Sequence, residues 1–535
     1  MDSGSFSFSR DEFLDSLPCL FGNIIVPNKV SDKMIPDISS DDWSTILHFS
    51  GSVFFFLGLT VLIPSIIAIF ATEWLNAVDF FFTASLLLSL GGVLFLYFQP
   101  KRDSSWLHGL CISAFSWIVS MFILALPYYF SHHFVSYLDA CFDVMSGMTT
   151  TGLIMIQDID HLPISLNIWR HMLTFIGGQG IVIIAVAFIP SIGLNYKAMV
   201  GEGKEERLQP SVKQTGRYIW LISLFYLMVG SLILFIIGLT IGLKPGWSLF
   251  HAVTMFMSTW STGGFAPQSV NALYYHNIGY EMALSVFSIL GSMNFGLHYC
   301  IWYKKKKAIL EDIETRSLMV TMTLIFLLMS YFLIKQGIYP SSLALYRKLI
   351  VQLISGHTTT GIQTIYSVQF INLWSPITQI GILAAMAIGG SSASTAGGFK
   401  GIRMGIVFQS IVQDIKQFFM PANSVHISFF QHIGKQVLTD KVIKSALTII
   451  VLYILFYGAG AVLGMIYGYP ANQALFDSIS AGSNTGLSAG LVNIQMPSVM
   501  KIFYIISMFF GRIEFFSGFV FITFIIHQFF QWAKR

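Results

Sequence analysis

Long apolar segments dominate the chain and alternate with short polar ones. A helix needs about 20 apolar residues to cross a bilayer, and ten segments meet that length: residues 50–71, 79–98, 106–130, 168–192, 218–242, 277–302, 317–336, 374–412, 442–468 and 499–531. Hydrophobic residues make up 54% of the 535 positions and charged residues only 10%, against roughly 25% charged residues in soluble domains. The pattern predicts an all-α polytopic membrane protein. It excludes a soluble enzyme, a disordered chain and a nucleic-acid-binding protein.

Four shorter stretches between these segments are semi-polar and rich in Gly, Ser and Thr: residues 135–154, 246–265, 342–362 and 471–487. Each is too short to cross the bilayer as a helix. Irregular backbone at membrane depth is tolerated only where protein or water covers it. These stretches are therefore predicted to be re-entrant.

Positive charge predicts the orientation of the chain. Most of the 30 Lys and Arg residues lie in the N-terminal tail, at the C-terminal end and in residues 99–105, 193–217, 303–316 and 399–445. Cytoplasmic loops carry an excess of Lys and Arg, and ten spans bring both termini to the same side. Both termini are therefore predicted to be cytoplasmic, with the four re-entrant stretches on the outer side. Residues 1–48 lack the pattern of a signal peptide and are predicted to be a cytosolic or interfacial tail.

A Thr-Gly dipeptide recurs once in each re-entrant stretch: Thr151-Gly152, Thr262-Gly263, Thr360-Gly361 and Thr485-Gly486. Each follows a stretch that resembles a half-helix and precedes a long apolar segment. A recurrence in register with the spans indicates an internal repeat. The predicted unit is a span, a pore helix, a filter loop and a second span, repeated four times around one central pore.

This repeat predicts the organisation of the whole chain. Two additional N-terminal spans in residues 49–105 precede the first unit. The four units are residues 106–200, 201–310, 311–425 and 426–535, and the third contains an interrupted apolar segment.

The residue types suit a site for a dehydrated cation. Backbone carbonyls from converging loops can replace the hydration shell of an ion, and Gly permits the unusual backbone angles that such loops need. The negative ends of half-helix dipoles favour a cation at the centre. The alternative, that these are merely flexible outer loops, does not explain their regular register.

Together these motifs resemble the Trk/Ktr/HKT superfamily of cation transporters, and most closely its TrkH branch. The resemblance covers roughly residues 50–535. It rests on residues 142–152, 177–181, 261–265, 294–298, 389–400 and 511–514, and on the two additional N-terminal spans.

The resemblance implies a potassium-selective transporter whose filter is formed by the four Thr-Gly pairs, with K⁺ as the bound and transported ion. Members with Ser at the first filter position tend to pass sodium, whereas this chain has Gly152 there. It further implies a bacterial inner-membrane protein in contact with lipid, a homodimer, and a cytosolic TrkA-type nucleotide-binding partner. No covalently bound cofactor is implied.

Small residues interrupt the eighth apolar segment, where the resemblance implies an intramembrane gating loop. The residues implied for the gate are Gly389, Gly390, Ser391, Ser392, Ser394, Thr395, Gly397, Gly398, Lys400 and Arg512. Such a run of small residues does not hold a stable helix on propensity alone. Close helix packing on small residues is the alternative explanation.

Charged residues within the apolar segments need partners, because intramembrane charge is costly. Arg512 lies in the last apolar segment, where the resemblance implies an electrostatic barrier beside the gating loop; a structural ion pair is the alternative. Glu514 follows two residues later, on another face of a helix, so different partners are predicted for the two. Lys400 and Arg403 are either membrane-edge anchors or groups that couple the gate to a cytosolic regulator.

Two further polar residues lie near the filter, and the sequence leaves their roles open. Asp143 could cap backbone N–H groups or attract cations. His357 is either a packing residue or a source of pH-dependent uptake.

The chain has no Walker A or dinucleotide-binding motif, so it is not a self-contained ATP-driven pump and is not predicted to be an enzyme. The alternatives are a sodium-permeable member of the same superfamily, a membrane-integral enzyme and a non-transporting sensor. The sequence offers no carboxylate cluster at ligand spacing near the His132-His133 pair, which weakens the enzyme alternative.

Overall fold

A computed structural model describes residues 40–100, 106–188, 212–302, 307–421, 428–432 and 434–533. The predicted tail up to residue 39 lies outside the described residues, as do parts of the basic segments 193–217 and 303–316. Long helices dominate the described part: Ser40–Phe70, Trp74–Tyr97, Trp106–Leu124, Ile164–Phe188, Val212–Thr240, Ile278–Ser292, Ile313–Gln336, Gly401–Phe418, Asp440–Ile466, Ser498–Arg512 and Phe516–Ala533. Shorter helices connect them: Leu126–Phe130, Phe295–Trp302, Lys307–Glu311, Ser367–Leu373, Pro376–Ile388 and a 3₁₀ turn at Asn271–Tyr275.

Six of the described helices are long and apolar enough to cross a membrane, and the number rises to eight if each of two bent helix pairs is one span. The bent pairs are Ile278–Ser292 with Phe295–Trp302, at 102°, and Ser498–Arg512 with Phe516–Phe530, at 111°. The sequence predicts each pair as one uninterrupted span. The structure breaks both, because the chain turns at Met293-Asn294 and at Ile513–Phe515. The count of ten spans stays a prediction.

The first two helices form a tight antiparallel pair. Ser40–Phe70 begins within the predicted tail, so residues 40–48 are helical. Gly51 and Gly91 face one another across the pair, where a β-carbon on either would lie within 3.0 Å of the other's backbone oxygen. Close backbone approach of this kind is how small residues support helix association in lipid.

Four half-helices enter the core of the fold. They are Tyr137–Met148, Pro245–Trp260, Ser342–His357 and Ala471–Gly482, and they match the four predicted re-entrant stretches. Ser136 and Ser341 cap the first and third, each accepting a hydrogen bond of 3.2 Å from the backbone N–H three residues later. A capping side chain satisfies an N–H that would otherwise lack a partner. Two of the helix starts are thus encoded locally.

A short antiparallel hairpin departs from the otherwise helical fold. Strand β1 is Phe429–His432 and strand β2 is Gly434–Val437, with Phe430 paired to Gln436. Phe430 is buried with Ile313, Ile402 and Ile406 in a second hydrophobic cluster. The hairpin therefore packs on the ends of two helices, one of which follows the interrupted segment.

Candidate ion-binding site

The four half-helices end in loops with the same backbone hydrogen bonds; we call these the filter loops. In each loop one N–H donates to the carbonyl oxygen five residues earlier: Thr151 to Ser146 at 2.8 Å, Gly263 to Ser258 at 2.7 Å, Thr360 to Ser355 at 2.8 Å and Thr485 to Ser480 at 2.9 Å. The residue before each donor has a positive φ: 54° at Thr150, 51° at Thr262, 51° at Thr359 and 55° at Asn484. The four loops are therefore structurally equivalent, residue by residue.

This equivalence corrects the predicted register of the second loop. The sequence pairs Thr262-Gly263 with the other Thr-Gly dipeptides. In the structure, however, Gly263 occupies the position of Thr151, Thr360 and Thr485, and Gly264 occupies that of the glycines. Gly264 has φ 68°, like Gly152 at 89°, Gly361 at 76° and Gly486 at 85°. The second loop contains two consecutive glycines, and only its hydrogen bonds reveal which one is equivalent to the others.

The four loops close a ring in chain order. A β-carbon on Gly152 would lie within 3.0 Å of the Gly263 carbonyl oxygen, and the same holds for Gly264 with Thr360, Gly361 with Thr485, and Gly486 with Thr151. Each glycine thus faces the carbonyl of the next loop, and the fourth loop returns to the first. We call the carbonyls of Thr151, Gly263, Thr360 and Thr485 the carbonyl ring. Glycine is required at the four contact positions, both for its left-handed backbone and for its missing side chain.

Side-chain hydroxyls support three of the four loops. Thr149 and Thr151 share a hydrogen bond of 2.8 Å, Thr358 and Thr360 one of 2.7 Å, and Ser483 and Thr485 one of 2.7 Å. The second loop has no such pair because Gly263 carries no hydroxyl. Its Thr262 hydroxyl instead bonds Thr395 at 3.1 Å. The ring is therefore regular in its backbone and asymmetric in its side chains.

The interrupted segment crosses the region beside the ring. Helix Pro376–Ile388 ends at Gly389, and the next helix begins at Gly401; we call residues 389–400 the crossing loop. It contacts all four filter loops. Thr395 bonds Thr150 and Thr262, the Gly397 N–H donates to the Thr359 hydroxyl at 2.7 Å, and a β-carbon on Gly397 would meet the Ser483 carbonyl.

Thr395 is the most connected residue of the crossing loop. Its hydroxyl lies 2.9 Å from the Gly291 carbonyl and 3.2 Å from the Trp260 carbonyl. Its own carbonyl accepts from Arg512, whose second terminal nitrogen lies 3.3 Å from the Gly178 carbonyl. Both side chains are buried. The structure thus brings the predicted gate residues Thr395 and Arg512 into direct contact.

The remaining charged residues of this region form a second layer. Lys400 donates to the Ala396 carbonyl within the crossing loop. Arg403 pairs with Glu514, and both are buried. Arg512 and Glu514 therefore have different partners, as predicted from their spacing. Ser391 and Ser392 are held through their N–H groups, by the Ser292 carbonyl at 3.1 Å and the Glu314 carboxylate at 2.6 Å.

Asp143 binds the backbone and an arginine. One of its carboxylate oxygens accepts from the Met155 N–H at 3.3 Å, and the other pairs with Arg170 at 3.3 Å. The guanidinium of Arg170 lies 4.3 Å from the centre of the Phe265 ring. Asp143 thus braces the first filter loop, and Arg170 links it to the second.

Asp477 is a site residue that the sequence analysis misses. It precedes Gly486 by the same nine positions that separate Asp143 from Gly152. Its carboxylate accepts from the N–H groups of Ala489 at 2.5 Å, Leu491 at 3.0 Å and Val492 at 3.2 Å, and from the Ser488 hydroxyl at 3.0 Å. The shared spacing from the filter glycine was the signal available in the sequence.

His357 lies at the end of the third half-helix and is buried. Its Nε2 is 2.9 Å from the Thr321 hydroxyl on the neighbouring helix. This contact gives the His357 imidazole a hydrogen-bond partner outside the filter loop and favours its interpretation as a packing residue.

The chain is similar in sequence and in fold to known cation transport proteins. Residues 76–534 match the TrkH family model, described as a cation transport protein. The chain is 28% identical over 493 residues to the Trk system potassium uptake protein TrkG of Escherichia coli, covering 89% of this chain and 98% of that protein. It is 28% identical over 478 residues to an uncharacterized cation transporter of Methanocaldococcus jannaschii, covering 89% of this chain and 94% of that protein.

A solved structure has the same fold. The crystal structure of the potassium transporter TrkH from Vibrio parahaemolyticus superposes with a TM-score of 0.79 at 24% identity, covering 90% of this chain and 99% of that one. The family match extends over most of the chain. The protein therefore belongs to the TrkH family of cation transport proteins.

Proposed function

We propose that this chain is the ion-conducting membrane subunit of a potassium uptake system, and that the carbonyl ring is its K⁺ site. The closed ring of four carbonyl-bearing loops is the observation that carries the proposal. The names of the relatives agree with it, since TrkG of Escherichia coli is a potassium uptake protein. Transport, not enzymatic chemistry, is the function.

The ring suits a cation that sheds its water. Its contributing groups are uncharged backbone carbonyls, which can replace a hydration shell without binding the ion too tightly to release it. The left-handed glycines let neighbouring loops approach closely enough to share one centre. Ion entry would follow the membrane potential, which contributes about 2.3 kcal/mol per charge for every 100 mV.

The crossing loop is proposed as the gate. It contacts all four filter loops, and the buried Arg512 bonds the carbonyl of its Thr395. Movement of residues 389–400 would therefore change access to the ring. Arg512 places a positive charge beside this path and would repel a cation while the loop is closed. Gly389, Gly390 and Gly398 provide the backbone freedom at its two ends.

The assembly is proposed from the family's properties. A cytosolic TrkA-type nucleotide-binding partner, a homodimer, a bacterial inner membrane and cytoplasmic termini all suit a Trk subunit and the distribution of basic residues. The fourfold division at residues 106, 201, 311 and 426 is proposed on the same basis, with one half-helix in each unit.

Uptake of ⁸⁶Rb⁺ and ²²Na⁺ into proteoliposomes tests the proposal, with the wild type beside Gly152→Ser. Rubidium uptake should exceed sodium uptake, and the variant should reduce the difference because the new side chain meets the Gly263 carbonyl. Equal or larger sodium uptake in the wild type would instead favour the sodium-permeable branch of the superfamily.

A further inference from the structure

Three potential metal ligands converge where the hairpin meets the helix Ile313–Gln336. The carboxylates of Asp312 and Glu314 and the imidazole of His432 present ligand atoms that all lie within 4.8 Å of one another. Asp312 and Glu314 are fully buried and His432 is 4% exposed. Two buried carboxylates beside one imidazole need a positive charge for compensation.

One ligand atom has no other partner. Oε1 of Glu314 accepts from the Ser392 N–H at 2.6 Å, whereas its buried Oε2 has no hydrogen bond and lies 3.9 Å from His432 Nδ1. Asp312 uses Oδ2 for the N–H groups of Glu314 and Thr315, which leaves Oδ1 directed at His432 Nδ1, 3.0 Å away. An unpaired buried carboxylate oxygen aimed into the cluster points to a missing cation.

We propose that Asp312, Glu314 and His432 form a binding site for a divalent transition metal of the zinc class. Carboxylate and imidazole ligands bind zinc at about 2.0–2.2 Å, so tetrahedral ligands lie about 3.3 Å apart. His432 Nδ1 lies 3.0 Å from Asp312 Oδ1 and 3.9 Å from Glu314 Oε2, and one ligand atom from each of the three residues lies within 4.8 Å of the others. Shifts of the side chains would bring the three ligands to tetrahedral spacing. Ca²⁺ takes six to eight oxygen ligands and Mg²⁺ keeps several waters. An imidazole within a small, buried set of ligands therefore favours zinc over either.

A proton on His432 is the competing occupant. Burial lowers the pKa of His432, and the carboxylates of Glu314 and Asp312 raise it by more, so that it lies above its ordinary value.

The metal site is connected to the crossing loop. Glu314 bonds Ser392 of that loop, and the hairpin that carries His432 packs through Phe430 against Ile402 of the following helix. A bound metal would fix Glu314 and thereby hold the loop in the observed position. This consequence rests on the proposed gating function, whereas metal binding does not.

Metal binding is tested on the purified full-length protein in detergent. After treatment with a chelator, the protein is dialysed against Zn²⁺, and bound zinc per chain is measured. The wild type should bind one zinc that His432→Gln and Glu314→Gln lose, with affinity falling more than about 100-fold. His161→Gln is the control, because His161 also pairs with an aspartate, Asp158 at 2.8 Å, but is exposed on another loop. Wild-type stoichiometry and affinity in both cluster variants would overturn the site.

A second variant distinguishes loss of the metal site from misfolding. His432→Cys keeps a metal ligand and should bind Cd²⁺. Because wild type has four cysteines of its own, the expected result is a cadmium–thiolate absorbance above the wild-type baseline. Failure of a folded His432→Cys to bind either metal would overturn the site.

Rubidium uptake then tests the coupling to the loop. Zn²⁺ should slow uptake by wild type roughly five- to tenfold and leave His432→Gln unaffected. Zinc binding without slower uptake would overturn the coupling. Normal zinc binding by a wild type that never takes up rubidium would instead count against the proposed transport function.

Discussion

The guanidinium of Arg512 donates a hydrogen bond to the backbone carbonyl of Thr395 in the middle of the crossing loop. The residues are 117 positions apart in the chain and are both buried. This charge-assisted bond between buried residues holds the loop against the four filter loops. Thr395 also bonds Thr150 and Thr262 of the first two loops.

Replacing Arg512 should release the loop. A hydrogen bond from a charged group contributes about 1.5–3 kcal/mol, and 1.36 kcal/mol corresponds to a tenfold change in rate. Arg512→Gln should therefore raise ⁸⁶Rb⁺ uptake by the isolated subunit about tenfold or more. Arg316→Gln is the control, because Arg316 bonds the Leu310 carbonyl away from the loop. Unchanged or lower uptake in folded Arg512→Gln would contradict the gating role.

Replacing either partner of the Arg403–Glu514 pair should lower the stability of the protein. Removing one member of a buried pair leaves an uncompensated charge and costs about 3–5 kcal/mol. Glu514→Gln should therefore lower the melting temperature in detergent, and Arg403→Gln should do the same. The double variant should be more stable than the sum of the single losses predicts. Strict additivity would show that the two side chains do not interact.

Asp477 should be required for the segment that follows Gly486 in the fourth filter loop. Its carboxylate accepts hydrogen bonds from three backbone N–H groups there. Asp477→Asn replaces one carboxylate oxygen with an NH₂ group, which cannot accept a hydrogen bond from those N–H groups. Each unsatisfied buried donor costs about 1–3 kcal/mol, so the variant should melt earlier and take up less rubidium. Asp158→Asn, at an exposed position in the segment that follows the first filter loop, should behave as wild type. Equal effects in the two variants would contradict the assignment.

The sequence predicts the position of the four half-helices and the interrupted helix because their residue types are unusual. Thr-Gly dipeptides within apolar surroundings, and a run of Gly and Ser inside a span, have few alternative explanations in a membrane. Those features concern local backbone conformation, which composition controls directly.

Features that depend on tertiary contacts could not be predicted. Gly263 and Gly264 are adjacent and chemically identical, so only the hydrogen bond from Gly263 to Ser258 assigns the register. The sharp bend after Arg512 depends on positive φ angles at Glu514 and Phe515, residues without intrinsic preference for that conformation. The hairpin has strands of four residues, which are too short for a periodic pattern to emerge.

We propose that the four glycines close a carbonyl ring that selects potassium. The most direct test is the ratio of ⁸⁶Rb⁺ to ²²Na⁺ uptake in Gly486→Ala and Gly468→Ala. Gly486 and Gly468 have nearly the same backbone strain, φ 85° and 87°, but only Gly486 faces a ring carbonyl, and Gly468 faces open space. We expect Gly486→Ala to lower the ratio toward one and Gly468→Ala to keep the wild-type ratio. A wild-type ratio in both variants, or an equal loss in both, would contradict it.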